Sequence, residues 1–534
     1  MTHFDSVAEE EMIESAFVAP DSSIEADKDG QADIFSFLAD PRAHRAAETV
    51  ERIDTQNAVV FLAGEDVYKI RRAIRLPFLD FSTLEKRRAA CEAEVDVNRD
   101  NAPQIYLGVA PITRSDEGLA IDGAGVVVEW ATHMRRFDET MTLDRVAERG
   151  ELTPDIVRKL AHAIRASHER APIGDGERAT EALATYLDQN DAFFAARPDL
   201  FAADGAERLD RKARAALDEL RPLLVARGES GCVRRCHGDL HLRNIALIEG
   251  EPILFDAIEF DPDIATGDIL YDLAFALMDL WERELPAAAN LLLSSYLSLC
   301  DETQFSGLAA TPLFMSVRAA IRAKVEAANI EHVGGAELSR ERAAAQRYFA
   351  FAENLIEPAQ PRLVAVGGLS GVGKSTLAAT LAPHIGRAPG AVVLRSDVER
   401  KHLFALEETK RLPEEAYGEW ASRETYARLA RKAALALQAG QSVVIDAVHA
   451  QPREREASAR IAAEVGVPFT GLWLEAPLDQ RLQRVQARSA DASDADAQVV
   501  ATQTAAPLAE DGWSAIDAAG DLATALEAAR RRLG

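Results

Sequence analysis

A glycine-rich turn between an apolar run and a helix-forming run is the feature that most constrains how this chain folds. Residues 362–368 read RLVAVGG, which is typical of a buried strand, and residues 376–382 read TLAATLA, which favours a helix. The turn itself, GLSGVGKS over residues 368–375, has glycines that let backbone amides point inward. Because a helix follows directly, its N-terminal amides and dipole favour a bound anion. The pattern therefore predicts a strand, a phosphate-binding loop and a helix.

This turn has the spacing of a Walker A motif. In such a loop Lys374 reaches the β and γ phosphates of a nucleotide, and the Ser375 hydroxyl holds Mg²⁺. A glycine-rich turn with a solvated lysine is the alternative, and the fitting strand and helix disfavour it. The predicted nucleotide-binding residues of the loop are Gly368, Gly371, Val372, Gly373, Lys374, Ser375 and Thr376.

Two further apolar runs end in carboxylates. Residues 391–397 read AVVLRSD and residues 442–446 read SVVID, so each predicted strand carries an aspartate, Asp397 or Asp446, at its carboxyl end. Open parallel sheets bind their ligands at that edge. We therefore expect both carboxylates to face the phosphates.

A basic helix face follows further along the chain. Arg481, Arg484 and Arg488 are three and four residues apart, and a polar stretch of small residues comes next. This spacing puts them on one face and predicts a lid in which arginines, Arg484 and Arg488 among them, close on the transferred phosphoryl group. A solvated basic face is the alternative interpretation.

A second motif, HGDLHLRN over residues 237–244, lies about 130 residues earlier. Its H-x-D-x-x-x-x-N spacing is that of the eukaryotic-like kinase catalytic loop, where Asp239 would accept a hydroxyl proton and Asn244 would bind metal. An apolar strand then ends directly before Asp256, at the position where such kinases have their main metal ligand. Asp261 is a possible substitute, although it does not directly follow the strand.

An upstream lysine completes this second motif. Two apolar runs joined by a turn read as strands, and Lys69 lies on the second of them. A helical segment from residue 82 to about residue 100 carries three acids, of which one pairs with such a lysine in kinases. We choose Glu94 over Glu92 and Asp96.

The last strand of the small lobe is predicted at VVVEW, ending at Glu129 and Trp130. The backbone at Glu129 would then form the hinge that reads adenine. No G-x-G-x-x-G precedes the lysine, which departs from protein kinases and leaves residues 55–57 as a substitute loop.

A basic cluster on a later alanine-rich helix has two interpretations. Arg318, Arg322 and Lys324 form either a solvated or salt-bridged helix face, which is the default, or a binding site for an anionic ligand.

Taken together, these motifs resemble a bifunctional family in which an aminoglycoside-phosphotransferase-like domain precedes a P-loop ATP-binding domain of the zeta-toxin and small-molecule-kinase type. The likeness covers nearly the whole chain from about residue 31. It implies a multidomain fold of α/β and α+β class, with a bilobal protein-kinase-like domain followed by a P-loop domain with a parallel sheet. The predicted divisions are a disordered acidic N-terminus 1–30, a kinase-like domain 31–355 (small lobe 31–130, large lobe 131–355) and a P-loop domain 356–534.

The resemblance also implies roles for single residues. Asp397 would be the base that orients the acceptor hydroxyl, Arg400 would clamp the acceptor, and Asp446 would be the Walker B-like Mg²⁺ partner. Tyr271 and Asp272 resemble the helix start that braces the catalytic loop in aminoglycoside and choline phosphotransferases.

These expectations together predict ATP and Mg²⁺ as cofactors and transfer of a γ-phosphoryl group, by each domain, to the hydroxyl of a small molecule. The alternative is a regulatory protein in which one or both domains bind ATP as a switch without transfer. Retained catalytic carboxylates favour the enzyme. The net charge of −27 argues against nucleic acid as a partner. A polar, acidic start and the lack of a long apolar run predict a cytoplasmic protein without a membrane partner.

Overall fold

The chain forms two compact units in a computed structural model. One unit comprises Met1–Asp279 with Leu313–Ile356, and the other comprises Leu280–Pro312 with Glu357–Gly534. The predicted multidomain fold, a kinase-like unit and a P-loop unit, is confirmed. The predicted disordered segment 1–30 lies, apart from residues 25–26 and 30, outside the described residues. The residues that the structure describes are 25–26, 30–45, 47–55, 57–75, 80–330, 333, 335–408, 410–487, 492–508 and 512–533.

An antiparallel sheet dominates the N-terminal part of the first unit. The strands of this unit are β1 (Glu25–Ala26), β2 (Val50–Asp54), β3 (Ala58–Ala63), β4 (Asp66–Arg71), β5 (Ile74–Arg75), β6 (Tyr106–Ser115), β7 (Gly118–Ile121), β8 (Val126–Arg135), β9 (Val233–Arg235), β10 (Ile245–Ile248), β11 (Glu251–Leu254) and β12 (Thr266–Asp268). Six of them form one sheet in the order β2-β3-β4-β8-β6-β7. Every residue of β3 is buried, because both faces of this strand are covered by apolar side chains.

Helices make up most of the chain between the two large sheets. They are α1 (Ala32–Leu38), α2 (Leu84–Asn98), α3 (Leu143–Glu148), α4 (Pro154–Arg170), α5 (Gly176–Ala196), α6 (Ala203–Glu229), α7 (Pro262–Ala265), α8 (Ile269–Glu282), α9 (Pro286–Ser298), α10 (Thr303–Gly307), α11 (Thr311–Asn329) and α12 (Gly335–Leu355). The predicted helix over residues 82–100 is α2, which begins after Thr83 because that hydroxyl accepts a hydrogen bond from the Lys86 amide.

The second unit contains a five-stranded parallel sheet. Its strands and helices are β13 (Leu363–Gly367), α13 (Lys374–Leu381), β14 (Val392–Arg395), α14 (Ser396–Leu403), α15 (Glu419–Gln438), β15 (Val443–Asp446), α16 (Pro452–Val465), β16 (Phe469–Glu475), α17 (Leu478–Gln486), α18 (Ala497–Thr502), β17 (Trp513–Asp517) and α19 (Leu522–Leu533). The strand order is β14-β15-β13-β16-β17, and all pairs are parallel. β13 and β15 are buried along their whole lengths, as expected of strands covered on both faces.

Helix α9 covers the edge strand β14 of this parallel sheet. The Asn290 side-chain amide donates to the carbonyls of Pro389 and Ala391 at 3.0 and 2.8 Å. One turn later the Ser294 hydroxyl accepts from the Val393 amide at 3.1 Å. Residues 280–312, which were predicted to lie in the large lobe 131–355, therefore pack in the second unit. The domain boundary at residue 355 stays a prediction.

We expect Asn290→Ala to destabilise the second unit by about 1–3 kcal/mol, because two buried carbonyls lose their donor. Urea unfolding followed by tryptophan fluorescence measures this, since Trp473 and Trp513 pack in the core of the unit. Ser306→Ala is the matched control, because the Ser306 hydroxyl donates to the Thr303 carbonyl of its own helix and to no other group of the described residues. Equal unfolding midpoints for the Asn290 variant and the wild type would contradict the assignment of α9 to this unit.

No helix within the described part of the chain is both long and apolar enough to span a bilayer.

Candidate active sites

The predicted lysine and glutamate of the first site form a buried ion pair. Strand β4 directs Lys69 toward α2, where its Nζ lies 2.9 Å from Glu94 Oε1, and both side chains are 2% exposed. Glu92 and Asp96 lie on the exposed face of the same helix, where Glu92 pairs with Arg88. The pairing predicted for Glu94 is present, and the role of the pair in ATP binding stays a prediction.

A second cation, Arg71, shares the same glutamate and was missed by the sequence analysis. It follows Lys69 by two positions on β4, so the strand places both side chains on one face. Its Nη2 lies 3.2 Å from Glu94 Oε2 and also pairs with Glu259. Thr132 donates to the same Glu94 oxygen at 2.7 Å. Burial alone would raise the pKa of Glu94, but the charges of the two cations outweigh it, and the pKa is lowered.

The predicted catalytic loop brings its aspartate and asparagine into contact. Asn244 Nδ2 donates to Asp239 Oδ2 at 2.9 Å and to the Asp239 carbonyl at 3.1 Å. His241 Nε2 lies 3.2 Å from the same Oδ2. The other oxygen, Asp239 Oδ1, is buried and has no hydrogen-bond partner among the described residues. This oxygen is therefore the one available to a hydroxyl or a metal.

Asp272 braces this loop from the start of α8, as predicted. Its Oδ1 accepts from the Gly238 amide at 2.8 Å, and its Oδ2 lies 3.1 Å from His168 Nε2. Burial would raise the pKa of Asp272, but the hydrogen bond from His168 and the charges of His168, His237 and Arg318 together outweigh it and lower the pKa. His237 contacts the Phe255 carbonyl at 2.8 Å through Nε2, and burial lowers its pKa. His168 lies about 70 residues before this loop, so no local pattern pointed to it.

Asp256 lies just beyond β11 with a left-handed backbone, φ +63°. Its amide donates to the Tyr106 hydroxyl at 3.2 Å, and the next amide, that of Ala257, donates to Asn98 Oδ1 at 2.8 Å. These bonds fix an uncommon conformation for a residue other than glycine. Asp261, the alternative metal ligand, instead caps α7 through its side chain. Asp256 thus remains the predicted ligand.

The interpretation of Glu129 as a hinge residue is wrong. Strand β8 continues to Arg135, so Glu129 lies within the strand and is fully buried. Its carboxylate accepts from Arg87 Nε at 2.8 Å and from Gln31 Nε2 at 2.6 Å. The prediction failed because the alternation of buried and less buried residues continues beyond Trp130, where the apolar sequence run ends.

The second site is a cleft of about 1220 Å³ at the carboxyl edge of the parallel sheet. Residues 370–377 line it, so the predicted loop residues except Gly368 face the cleft. A Cβ at Gly371 would lie 2.5 Å from the Arg481 carbonyl, so only glycine fits there. Gly373, with φ +104°, is the residue from which α13 begins. Lys374 Nζ donates to the Leu369 carbonyl at 3.3 Å.

Arg395 bridges the two predicted metal ligands of this cleft. Its Nη2 donates to Ser375 Oγ at 3.3 Å, and its Nε lies 3.4 Å from Asp446 Oδ2. Asp397 lies nearby in the first turn of α14 rather than at the end of a strand. Burial, followed by the charge of Asp446, raises the pKa of Asp397. The sequence analysis did not single out Arg395, which lies at the carboxyl end of β14 beside the predicted acid.

The two described lid arginines contact the phosphate-binding loop itself. Arg484 donates to the carbonyls of Val372 and Ala518 at 2.9 and 2.8 Å, and Arg481 donates to the Ser370 carbonyl at 3.5 Å. These bonds support the loop, and closure of Arg484 on a phosphoryl group stays a prediction. Arg488 lies outside the described residues.

Gln503 and Arg400 also line the cleft. Gln503 Oε1 accepts from the Ser370 amide at 2.7 Å, a contact that the sequence analysis missed. Arg400, the predicted acceptor clamp, donates to the Ala416 carbonyl at 2.6 Å and to Ser422 Oγ at 3.3 Å. Arg400 lines the cleft, so its position is compatible with the predicted contact to an acceptor.

Both sites offer the oxygen ligands that Mg²⁺ prefers. In the cleft, one guanidinium already contacts Ser375 and Asp446, so a single cation can reach both. In the first site, the buried Asp239 Oδ1 has no partner within the described residues. The Phe255 amide, next to Asp256 in the chain, donates to the Asn244 carbonyl at 3.0 Å, so Asp256 follows a residue that contacts the catalytic loop. The residues therefore fit the metal that the resemblance implies.

We expect the stability of the second unit to depend on pH through His449. This ring is buried, lies 3.0 Å from Ser458 Oγ through Nε2, and its pKa is lowered by burial from 6.5 to about 4. In the unfolded chain this histidine binds a proton as the pH falls below 6.5, whereas in the folded chain it stays neutral down to about pH 4. The free energy of unfolding therefore has its full value above pH 6.5 and decreases as the pH falls toward 4. From pH 7.5 to pH 5 the free energy of unfolding should decrease by about 2 kcal/mol more in the wild type than in His449→Gln. Urea titrations at both pH values measure this difference, and parallel losses would contradict it.

Two parts of the chain match known protein families. Residues 129–304 match the model of the phosphotransferase enzyme family, and residues 363–507 match that of the AAA domain. An uncharacterised protein of Mycobacterium tuberculosis strain H37Rv is 29% identical over 475 residues, which is 88% of this chain and 92% of the relative. The adenylyl-sulfate kinase of Myxococcus xanthus is 32% identical over 122 residues, 22% of this chain and 59% of that enzyme.

Two solved structures are similar to parts of the chain. A choline/ethanolamine kinase family protein from Mesorhizobium loti covers 60% of this chain and 93% of its own, with 14% identity and a TM-score of 0.36. The APS kinase of Mycobacterium tuberculosis, solved with AMPPNP and APS, covers 33% and 99%, with 18% identity and a TM-score of 0.25. The predicted combination of a phosphotransferase domain and a P-loop domain is confirmed by the family matches. Residues 129–304 thus resemble the phosphotransferase enzyme family, and residues 363–507 resemble the AAA domain.

Proposed function

We propose that the chain is a tandem ATP-dependent phosphotransferase in which each unit transfers a γ-phosphoryl group to a hydroxyl of a small molecule. The observation that carries this proposal is the catalytic loop of the first unit. There Asp239 is held by Asn244 and keeps one buried oxygen without a partner in the described part of the chain. A protein that only binds ATP has no use for such a base.

In the first site, Lys69 would hold the phosphates of ATP while Glu94 keeps the ammonium in place. Asn244 and Asp256 would hold Mg²⁺, which when bound neutralises charge on the β and γ phosphates. Asp239 would orient the acceptor hydroxyl and take its proton. Because Asp272 bonds to the Gly238 amide, the base is held by backbone as well as by side chains.

In the second site, the amides of the glycine loop and Lys374 would hold the phosphates, and Ser375 with Asp446 would hold the metal. Asp397 would orient the acceptor hydroxyl. Burial and the charge of Asp446 raise the pKa of Asp397, which favours a base that works closer to neutral pH. Because Arg395 contacts both metal ligands, it would have to yield at least one of them to Mg²⁺.

The first site favours a small acceptor over a protein. Regulated protein kinases have an arginine before the catalytic aspartate, which grips a phosphorylated activation loop, and this chain has Gly238 there. Only 14 residues separate Asp256 from Tyr271, which leaves little chain for a segment on which a protein docks. The net charge of −27 disfavours nucleic acid as a partner. A cytoplasmic location and the absence of a membrane partner belong to the same proposal.

The experiment uses γ-labelled ATP and a metabolite extract, with labelled products identified by mass spectrometry. Wild type, Lys69→Ala, Lys374→Ala and the double variant are compared. Two product classes are expected, each lost in one single variant and both lost in the double variant. Binding of ATP without any labelled product would show that the chain is a nucleotide-dependent switch instead.

A further inference from the structure

The buried arginines of the first unit differ in what neutralises them. Five arginines of its described residues are buried, namely Arg71, Arg87, Arg227, Arg318 and Arg322. Four of them pair with carboxylates, which are Glu94 and Glu259 for Arg71, Glu129 for Arg87, Asp268 for Arg227 and Glu326 for Arg322. No carboxylate of the described residues lies within ion-pair distance of Arg318, which is 5% exposed.

Aromatic rings hold Arg318 in place. Its Cζ lies 3.9 Å from the ring centroid of Tyr271 and 4.8 Å from that of Phe275, and its Nε donates weakly to the Tyr271 carbonyl at 3.4 Å. Asp272 is near enough for the two charges to interact, but its oxygens already accept from Gly238 and contact His168. The terminal nitrogens of Arg318 thus have no acceptor in the described part of this unit.

A buried guanidinium whose terminal N–H groups lack acceptors is costly, because these groups lose hydration and gain no hydrogen bonds in return. Arg318 therefore differs from the other four buried arginines in a way that packing does not account for. A guanidinium presents a fork of N–H donors that matches the two oxygens of a carboxylate or phosphate. The aromatic faces of Tyr271 and Phe275 fix the orientation of that fork without using its donors.

The same aromatic ring connects Arg318 with the catalytic loop. Phe275 lies edge-on to the His241 ring, with centroids 5.3 Å apart, and His241 Nε2 lies 3.2 Å from Asp239 Oδ2. The distance from the Arg318 guanidinium to the His241 ring therefore cannot exceed the sum of its distance to Phe275 and the distance from Phe275 to His241. Within this upper limit, an acceptor of a few carbon atoms can present a hydroxyl to the catalytic loop and an anionic group to Arg318.

We propose that Arg318 is the anion-binding residue of the first acceptor site, and that the acceptor is a hydroxylated small molecule carrying a carboxylate or a phosphate. This inference rests on the proposed phosphotransfer. In the step, the acceptor oxygen forms a bond to the γ phosphorus, the bond from that phosphorus to the β–γ bridging oxygen breaks, ADP leaves, and Asp239 takes the hydroxyl proton. Arg318 holds the far end of the acceptor and makes no bond to the transferred group.

The test measures kcat and KM in Lys374→Ala, in which the second site is inactive. Matched acceptors are D-glycerate, glycerol 3-phosphate and a sugar acid against glycerol, the corresponding sugar alcohol and an amino sugar. We expect transfer to at least one anionic acceptor and little to its neutral or cationic counterpart. Adding Arg318→Gln should lower kcat/KM for the anion about 10- to 100-fold, mainly through KM, while Arg318→Lys recovers part of it.

Arg322→Gln is the matched control, because Arg322 is also buried, lies one turn later on α11 and is paired with Glu326. It should lower stability without changing the ratio of kcat/KM between anionic and neutral acceptors. Equal use of neutral or cationic acceptors, or an unchanged KM for the anion in Arg318→Gln, overturns the inference and leaves the proposed function standing. Transfer to none of the panel, with no label entering any metabolite of an extract, overturns both.

Discussion

Replacing Asp239 with asparagine should lower phosphoryl transfer at the first site by about 10²- to 10⁴-fold while ATP affinity stays the same. The asparagine keeps the shape of the side chain and the contact with Asn244, but it cannot accept a hydroxyl proton. The rate is measured with Lys374→Ala as the background, so that only the first site contributes. Calorimetry with ATP on the same proteins measures the affinity.

Asp256→Ala separates the two roles within this site. The backbone bond of Asp256 to Tyr106 and its left-handed conformation fix the position of this carboxylate, which is predicted to bind metal. Asp256→Ala should therefore weaken binding of Mg-ATP, whereas Asp239→Asn should not. If Asp239→Asn transfers phosphate as fast as its parent, the loop from His237 to Asn244 is not catalytic.

Replacing Lys374 with alanine should reduce the number of ATP sites per chain from two to one. The lysine is the one charged side chain of the glycine loop, and loss of one partner of a buried charge contact costs about 2–5 kcal/mol, or roughly 30-fold or more in affinity. Calorimetry should resolve two sites in the wild type, and the site of the first unit should keep its affinity in the variant.

Lys69→Ala provides the reciprocal control. It removes the partner of Glu94 in the first unit and should leave binding in the cleft unchanged. Two independent sites would be refuted if the wild type binds a single ATP and one of the two variants binds ATP as the wild type does. Loss of both sites in either variant would show that nucleotide binding in one unit depends on the other.

The parts of the fold that follow from short stretches of sequence were predictable. The glycine loop over residues 368–375 leaves β13 and runs into the first turn of α13, because the apolar run, the glycines and the helix-forming run are adjacent in the sequence. Asp272 was also predicted correctly as the brace of the catalytic loop. The contacts of Glu94 with Lys69 and of Asp272 with Gly238 were found through the resemblance to kinases, because these partners lie 25 and 34 residues apart on different elements.

Contacts between distant segments were not predictable in this way. His168 reaches Asp272, and Gln503 reaches Ser370, across long stretches of chain whose local patterns contain no sign of the partner. Glu129 was misplaced because a strand can continue through polar residues when its neighbours in the sheet still pair with it. The role of Arg395 could not be predicted from its own strand, because its contact with Asp446 depends on the parallel pairing of β14 with β15.

The assignment of residues 280–312 to the second unit has a consequence for synthesis. This segment leaves the ribosome about 80 residues before β14, the strand that α9 covers. At about 5–20 residues per second, the wait is on the order of ten seconds. During that time the apolar face of α9, with Leu292 and Leu293, is complete while its partner strand does not yet exist. The nascent chain therefore passes through an interval in which a chaperone that binds exposed apolar helices has a defined target, and that interval closes only when the parallel sheet is made.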